Sequence, residues 1–139
     1  MTVSESIITW LKQFSPADYW RMKSIDTDIQ MAEVDSYALI KEPVQNVKKY
    51  LSGRKEITAH YSLSARLSSQ VNGERIDNGG FGEALESWVE EQNQMSNFPV
   101  IDDAVVSSIS VTTPFYIGRT ESNNSVYSMT IAIKYVKER

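Results

Sequence analysis

The sequence predicts an α+β domain, in which a mostly antiparallel β-sheet packs one apolar face against two helices. An amphipathic helical stripe opens the chain and a second lies beyond its middle. Between and after them, apolar and polar residues alternate with the period of two that is typical of strands. The predicted order is helix, several strands, helix, two strands. The 139 residues, 41% of them hydrophobic, suit one domain over residues 1–139 with its own core.

Residues 3–14 are predicted to form the first helix. Thr2 and Glu5 have the spacing of a capping box, in which the two side chains bond the first free amides. Ser15-Pro16 ends the helix, because proline disfavours a helical conformation in the residue before it. Residues 17–22 are predicted to add a short helical turn. The apolar stripe of the helix consists of Val3, Ile7, Trp10, Leu11 and Phe14.

Alternating segments follow, and each is predicted to be a strand. They cover residues 25–31, 37–40, 44–51 and 58–67. Glu42-Pro43 indicates a turn or a sheet edge, since proline lacks the N–H that a strand donates. Ser52-Gly53 lies between the last two segments and predicts a hairpin turn.

Residues 69–80 are polar and contain Asn72-Gly73 and Asn78-Gly79-Gly80, so they are predicted to form a loop. The second helix is predicted from Phe81 to Gln94, closed by Asn97-Phe98-Pro99. Its apolar stripe consists of Phe81, Ala84, Leu85, Trp88 and Val89.

The last two strands give the clearest periodic signal. The first of them places Val105, Ser107, Ile109, Val111, Thr113 and Phe115 on one face. The second does the same with Tyr127, Met129, Ile131, Ile133 and Tyr135. The connection from Gly118 to Ser125 is predicted to be the loop at the tip of this hairpin.

Composition excludes several classes of function. The chain has no cysteine, which rules out thiol catalysis, disulfides and cysteine-ligated zinc. Its formal net charge is −4 and its cationic stretches are short, so no specific nucleic-acid binding is expected. No apolar run approaches the length that spans a membrane, and no membrane association is expected.

Candidate chemical groups are few. His60 is the only histidine, and its place on the polar side of a strand favours a surface role over catalysis. Asp26 and Asp28, with Asp35, are an incomplete ligand set for a hard cation, and exposed strand residues explain them equally well. Asn78-Gly79-Gly80 resembles an anion-binding turn in outline, although a plain connecting loop is favoured. We therefore expect no enzyme activity, no metal and no cofactor.

Two of the three tryptophans lie on apolar helix stripes. Trp10 and Trp88 are predicted to belong to the core. Trp20 lies outside any strong period, so it is either packed locally or exposed as an anchor for a partner.

Segments along nearly the whole chain carry a family resemblance. They are Ser6–Leu11, Glu42–Gly53, His60–Leu67, Leu85–Val89, Phe98–Pro99 and Tyr127–Tyr135. In these segments the chain resembles small tail-completion proteins of long-tailed bacteriophages and of prophages of Gram-positive bacteria. The family in question is that of the phage tail terminators, which are also described as minor capsid proteins. The shared segments are packing patterns, so they transfer no functional residue.

The resemblance implies a structural protein without catalysis. Such a protein forms a ring, commonly a hexamer, that caps the tail tube, ends its polymerisation and helps join the tail to the head. Its partners would be further copies of itself, the tail tube protein and the head–tail connector protein. Its place would be the virion, at the junction of tail and head, after synthesis in the cytoplasm of the host bacterium.

Two other functions remain open. One is a head–tail connector or stopper protein, because proteins at that junction have similar sizes. The other is a small ligand-binding or metal-binding α+β domain that uses Asp26, Asp28 or His60.

Ring formation requires different surfaces of neighbouring copies to meet, and long loops and open strand edges can supply them. The loops considered are the turn at 52–55, the segment 69–80 and the hairpin tip at 118–125. Candidate interface residues in these loops are Arg54, Lys55, Asn72, Arg75, Arg119, Glu121, Asn123 and Asn124.

Overall fold

The computed structural model describes residues 2–14, 25–28, 36–120 and 124–138, and these contain two helices and five strands. The elements in chain order are α1 (Val3–Leu11), β1 (Ile25–Thr27), β2 (Ser36–Lys49), β3 (Lys55–Ser68), α2 (Asn72–Gln94), β4 (Ala104–Thr120) and β5 (Asn124–Lys137). The chain is thus α+β, as predicted. The predicted helical turn at 17–22 and Trp20 lie outside the described residues.

The five strands form one sheet in the order β1-β2-β3-β5-β4. The β2–β3, β3–β5 and β4–β5 pairs are antiparallel, whereas β1 pairs with β2 in parallel through residues 37–39. The sheet is therefore mixed, which corrects the prediction in one pair. Asp28 ends β1 with a φ of 57°, and its N–H donates to the Leu39 carbonyl oxygen at 2.9 Å.

One face of the sheet carries the core. Side chains of odd-numbered residues in β3 and β5 are buried there, together with apolar residues of both helices. The Trp10 ring lies 4.6 Å from the Trp88 ring, and its Nε1 donates to the Asn97 carbonyl oxygen at 2.7 Å. These contacts join α1 to α2 and to the segment that follows α2. Trp10 is buried in the core, as predicted, whereas Trp88 is partly buried and packs against the core.

The helix caps differ in quality. Thr2 and Glu5 form the predicted capping box at the start of α1. At the start of α2, Val71 has no side-chain acceptor. Instead the Glu74 carboxylate accepts from the N–H groups of Gln70 (3.0 Å) and Val71 (3.2 Å). The pKa of Glu74 is lowered by its hydrogen bond with the Ser68 side chain and then by these backbone bonds.

The α2 helix begins at Asn72, so the predicted loop at 69–80 is wrong over most of its length. The glycines of that segment lie inside the helix. Asn78 Nδ2 donates to the Ser68 carbonyl oxygen at the end of β3, at 2.9 Å. Such tertiary contacts offset the low helix propensity of glycine and asparagine. A local sequence pattern cannot reveal these contacts.

The predicted strands at 37–40 and 44–51 are parts of one strand, β2, with an irregularity between them. Lys41 pairs with Tyr61 and Gln45 pairs with Ala59, so three residues of β2 oppose His60 alone. Pro43 is the middle one of the three. Its missing N–H therefore removes no bond from the ladder.

Irregular pairing also changes which residues of β4 face the core. The register against β5 shifts between 106 and 108, 111 and 113, 113 and 116, and 117 and 119. Each extra residue in a strand reverses the facing of those that follow. Val105 is accordingly 71% exposed and Val106 packs on the core, so the predicted facing of Val105 is wrong. Ser107, predicted to face the core, is exposed and donates to the Lys134 carbonyl oxygen at 3.2 Å.

The hairpin of β4 and β5 is longer than predicted. Thr120 still pairs with Ser125, so both ends of the predicted 118–125 loop are strand. Residues 121–123 are outside the described part of the chain.

Candidate partner interface

The sheet has two long outer edges, on opposite sides of the molecule. Beyond residues 37–39, where β1 pairs, no described strand pairs with the outer side of β2. At the other end of the strand order, no described strand pairs with the outer side of β4. Unpaired strand edges present N–H and C=O groups that another chain can bind.

The β2 edge and its turn are basic. Residues 36–55 contain five lysines or arginines and a single glutamate, Glu42. Apolar side chains are exposed beside these cations: Val44 is 66% exposed, Val47 45% and Leu51 fully exposed at the turn. This mixture of cations and exposed apolar groups is typical of a surface that meets a partner.

The turn after β2 has a fixed shape. The Gly53 N–H donates to the Tyr50 carbonyl oxygen at 3.0 Å, and the Tyr50 N–H donates to the Arg54 carbonyl oxygen at 2.9 Å. Gly53 has a φ of 92°, a conformation that glycine adopts without steric cost. The Lys48 ammonium and the Arg54 guanidinium lie 5.6 and 5.5 Å from the centre of the Tyr50 ring. Both cations are thereby held near the same end of the hairpin.

Like charges stand side by side at this end of the sheet. Lys49, Lys55 and Lys137 are in register on the adjacent strands β2, β3 and β5. Like charges that are directly opposite destabilise a sheet. Glu56 compensates only partly: it pairs in register with Lys48, and its carboxylate lies 3.8 Å from Lys134 Nζ. Because these lysines repel one another in the folded sheet, an acidic partner that binds beside them would offset the repulsion.

The β4 edge is accompanied by the acidic helix α2. Asn93 Oδ1 accepts from the Ile109 N–H at 2.9 Å, and the Glu86 carboxylate accepts from the Phe115 N–H. Between these two bonds an open groove of about 390 Å³ remains. The groove is lined by Glu86, Glu90, Asn93, Ile109, Ser110, Val111 and Pro114.

The charge of this edge is opposite to that of β2. Residues 76–118, which contain most of α2 and β4, include seven aspartates or glutamates and neither lysine nor arginine. Two edges of opposite charge therefore lie at opposite ends of one strand order. The sequence contained this signal as a segregation of charge between segments, but strand order was needed to show that the segments border opposite edges.

Four of the eight candidate residues predicted from sequence fall into two groups at opposite ends of β3. Arg54 and Lys55 lie at the basic turn, next to Lys48 and Lys49, which sequence reasoning did not include. Near the other end of β3, Asn72 and Arg75 belong to the first turns of α2, and Arg75 Nη1 donates to the Ser69 carbonyl oxygen at 2.7 Å.

Two further candidates, Arg119 and Asn124, lie in the hairpin of β4 and β5. Arg119 is exposed near the end of β4. Asn124 is only 8% exposed and accepts from Arg66 Nη1 at 2.9 Å, so it is placed to support the fold rather than to meet a partner. Glu121 and Asn123 lie outside the described residues. The described candidates thus do not form one continuous surface.

The residues considered for chemistry are dispersed. His60 is half-buried on the sheet face opposite the helices, among serine and threonine side chains of β3 and β5. The Asp28 carboxylate accepts from the Lys41 N–H at 3.0 Å, which ties β1 to β2. Asp35 is outside the described residues. Within the part of the chain that the structure describes, no three histidine, aspartate or glutamate side chains are grouped as metal ligands.

None of the helices in the described ranges combines the length and the apolar character that crossing a membrane requires. No protein-family model matches the chain, and no curated protein matches it either.

Proposed function

We propose that this chain is a structural protein of phage tail assembly, a tail terminator that caps the tail tube, ends its polymerisation and helps join tail to head. It acts as a closed ring of identical copies and performs no catalysis. One observation carries the proposal: a single sheet has two open edges, basic on one side and acidic on the other.

A subunit that forms a ring requires two different surfaces, on opposite sides, that bind each other. When two different surfaces of identical copies meet, each added copy presents the same free surface as the one before, and the series closes if the rotation per copy allows it. The resemblance of the chain to tail terminators along nearly its full length agrees with this arrangement. The tube and the head connector would then meet the two open ends of the ring.

The test is control of tube length. The tail tube protein of a long-tailed phage would be produced in bacteria with and without this chain, and tube lengths would be measured by negative-stain electron microscopy. We expect long tubes of variable length without the chain, and short tubes with an added ring of density at one end in its presence. Unchanged tube lengths, with no density at the ends, would contradict the proposal.

The same experiment distinguishes a tail terminator from a head–tail connector. A connector or stopper would bind the head-side protein encoded next to the portal and leave tube lengths unchanged. A small binding domain would instead give heat on calorimetric titration with a divalent metal ion, accompanied by a rise in Tm.

A further inference from the structure

We infer that the copies join edge to edge, with the basic β2 edge of one copy seated on the acidic groove between α2 and β4 of the next. This inference rests on the proposed self-assembly and specifies its interface. The occupant of the groove is thus a second copy of this chain.

Charge complementarity supports this pairing. The groove presents the Glu86 and Glu90 carboxylates, and the β2 edge presents Lys48 and Lys49. The Glu86 carboxylate already accepts from the Phe115 N–H, whereas the Glu90 side chain is exposed, so Glu90 is the carboxylate of the groove that is more accessible to a lysine of the next copy. Opposite charges across an interface steer the encounter and fix its register.

The apolar groups match as well. Val44 and Val47 are largely exposed on the β2 edge, and the groove contributes Val111 and Pro114. Burying these side chains against each other removes apolar surface from water, which favours association. A partner that offered charge alone would leave them exposed.

The charges also exclude the wrong pairings. Two β2 edges would bring lysines against lysines, and two α2–β4 edges would bring glutamates against glutamates. Like charges face to face are costly, so symmetric pairing of either edge with itself is disfavoured. Only the pairing of unlike edges remains, and it is head-to-tail by geometry.

The row of lysines provides the sharpest test. Lys49 stands opposite Lys55 in the monomer, so Lys49→Glu replaces a repulsion with an attraction and is expected to raise the Tm of the monomer. The same substitution is expected to weaken self-association at least about tenfold, because it places a carboxylate against the acidic groove. If Lys49 had a purely structural role, the substitution would change the Tm of the monomer and the strength of self-association in the same direction.

The experiment is sedimentation velocity over a concentration series, at low salt and in 1 M NaCl. Wild type is expected to form a discrete oligomer at low salt that dissociates in high salt, since screening weakens exposed charge pairs. Lys49→Glu and Glu90→Lys are each expected to remain monomeric at the same concentrations. Lys12→Glu, an exposed substitution at the residue that follows α1, changes the net charge as Lys49→Glu does; it is the matched control for that variant and is expected to assemble like wild type.

Mixing the two variants completes the design. A 1:1 mixture of Lys49→Glu and Glu90→Lys is expected to form heterodimers, because the intact groove of the first variant meets the intact β2 edge of the second. Growth beyond the heterodimer uses the two substituted surfaces, whose charges are reversed but still opposite. Circular dichroism of each variant establishes that it is folded before it is mixed.

The outcomes are distinguishable from those of the tube-length test. A wild-type chain that stays monomeric at every concentration and salt level would overturn the inference, as would assembly of Lys49→Glu and Glu90→Lys equal to wild type. Tube lengths that do not change while the charge variants behave as expected would instead refute the terminator role and leave the interface standing.

Discussion

At the scale of single residues, Gly82 determines how closely α2 approaches β4. A Cβ on Gly82 would overlap the ring carbons of Phe115. That ring stacks on Tyr127 with 5.2 Å between centroids and meets Phe81 edge-on at 5.7 Å. The absence of a side chain at one helix position thus allows three aromatic rings to pack between helix and sheet.

Gly82→Ala is expected to lower the free energy of unfolding by about 1–3 kcal/mol, because the added methyl group forces Phe115 from its position. Gly79→Ala in the same helix is the matched control, since nothing lies within 4 Å of the added Cβ. There the higher helix propensity of alanine is expected to add up to about 1 kcal/mol. Urea unfolding measures both changes, and equal effects of the two substitutions would contradict this account.

Glu74 makes the stability of the start of α2 depend on pH. Its pKa in the folded protein lies below the ordinary value of 4.5, chiefly because the ionised form bonds the Ser68 side chain and the Val71 N–H. A lowered pKa in the folded state gives stability that is present above pH 4.5 and lost as the pH falls through the folded-state pKa. Glu74→Gln removes this contribution.

We therefore expect Glu74→Gln to lower the Tm at neutral pH, and the difference from wild type to shrink as the pH falls below 4.5. Thermal melts at a series of pH values would measure it. Glu83→Gln, at an exposed position of the same helix, is the control. A constant difference at all pH values would show that ionisation of Glu74 is not the cause.

At the scale of elements, α2 acts as a partial cover for the edge of β4. Its Asn93 and Glu86 side chains accept from two outward N–H groups of that strand, which removes two donors that a strand from another chain would use. The residues between these bonds remain open as the groove. The helix thus defines where along β4 a partner can bind.

Asn93→Ala is expected to expose the Ile109 N–H and to cost about 1 kcal/mol of stability, the usual net loss for one hydrogen bond. The amide of Ile109 is then expected to exchange with solvent faster. Asn93→Asp keeps an acceptor oxygen in place, so it is expected to retain the slow exchange. Hydrogen exchange followed by NMR distinguishes the two variants, and equal exchange rates in both would contradict the assigned role of Asn93.

The elements also differ in how far the sequence predicted them. The core stripes of both helices were predictable, because every turn that faces the core must supply an apolar residue. The sequence did not predict which residues of β4 face the core. The register shifts of this strand depend on cross-strand bonds, such as the one that Ser107 donates to the Lys134 carbonyl oxygen. The start of α2 was missed because Asn78 is held by Ser68, a tertiary contact. The basic turn at Arg54 was found, but the groove required knowledge of the strand order.

At the scale of the whole molecule, the segregation of charge would couple stability to the self-association that we propose. A net charge of −4 conceals a basic edge and an acidic edge. Each is self-repelling within one copy, as the in-register lysines at positions 49, 55 and 137 illustrate. The contact between copies that we propose would relieve both repulsions at once. Binding that occurs only in the folded state stabilises that state.

The Tm of wild type is accordingly expected to rise with protein concentration at low salt and to become independent of concentration in 1 M NaCl. Differential scanning calorimetry over a hundredfold range of concentration would measure this. Lys49→Glu is expected to start from a higher Tm and to show no dependence on concentration. A flat wild-type profile at low salt would contradict the coupling.

The position of β5 has a consequence for how the protein is made. β5 lies between β3 and β4 in the sheet, although it is the latest of the five strands in the chain. It pairs with β3 from Lys137 opposite Lys55 to Asn124 opposite Ser68. A nascent chain that has not yet reached β5 therefore leaves β3 with one free side and β4 without a neighbouring strand. The ribosome must deliver β5 before the sheet can close, so the self-assembly that we propose would require chains that already contain this strand.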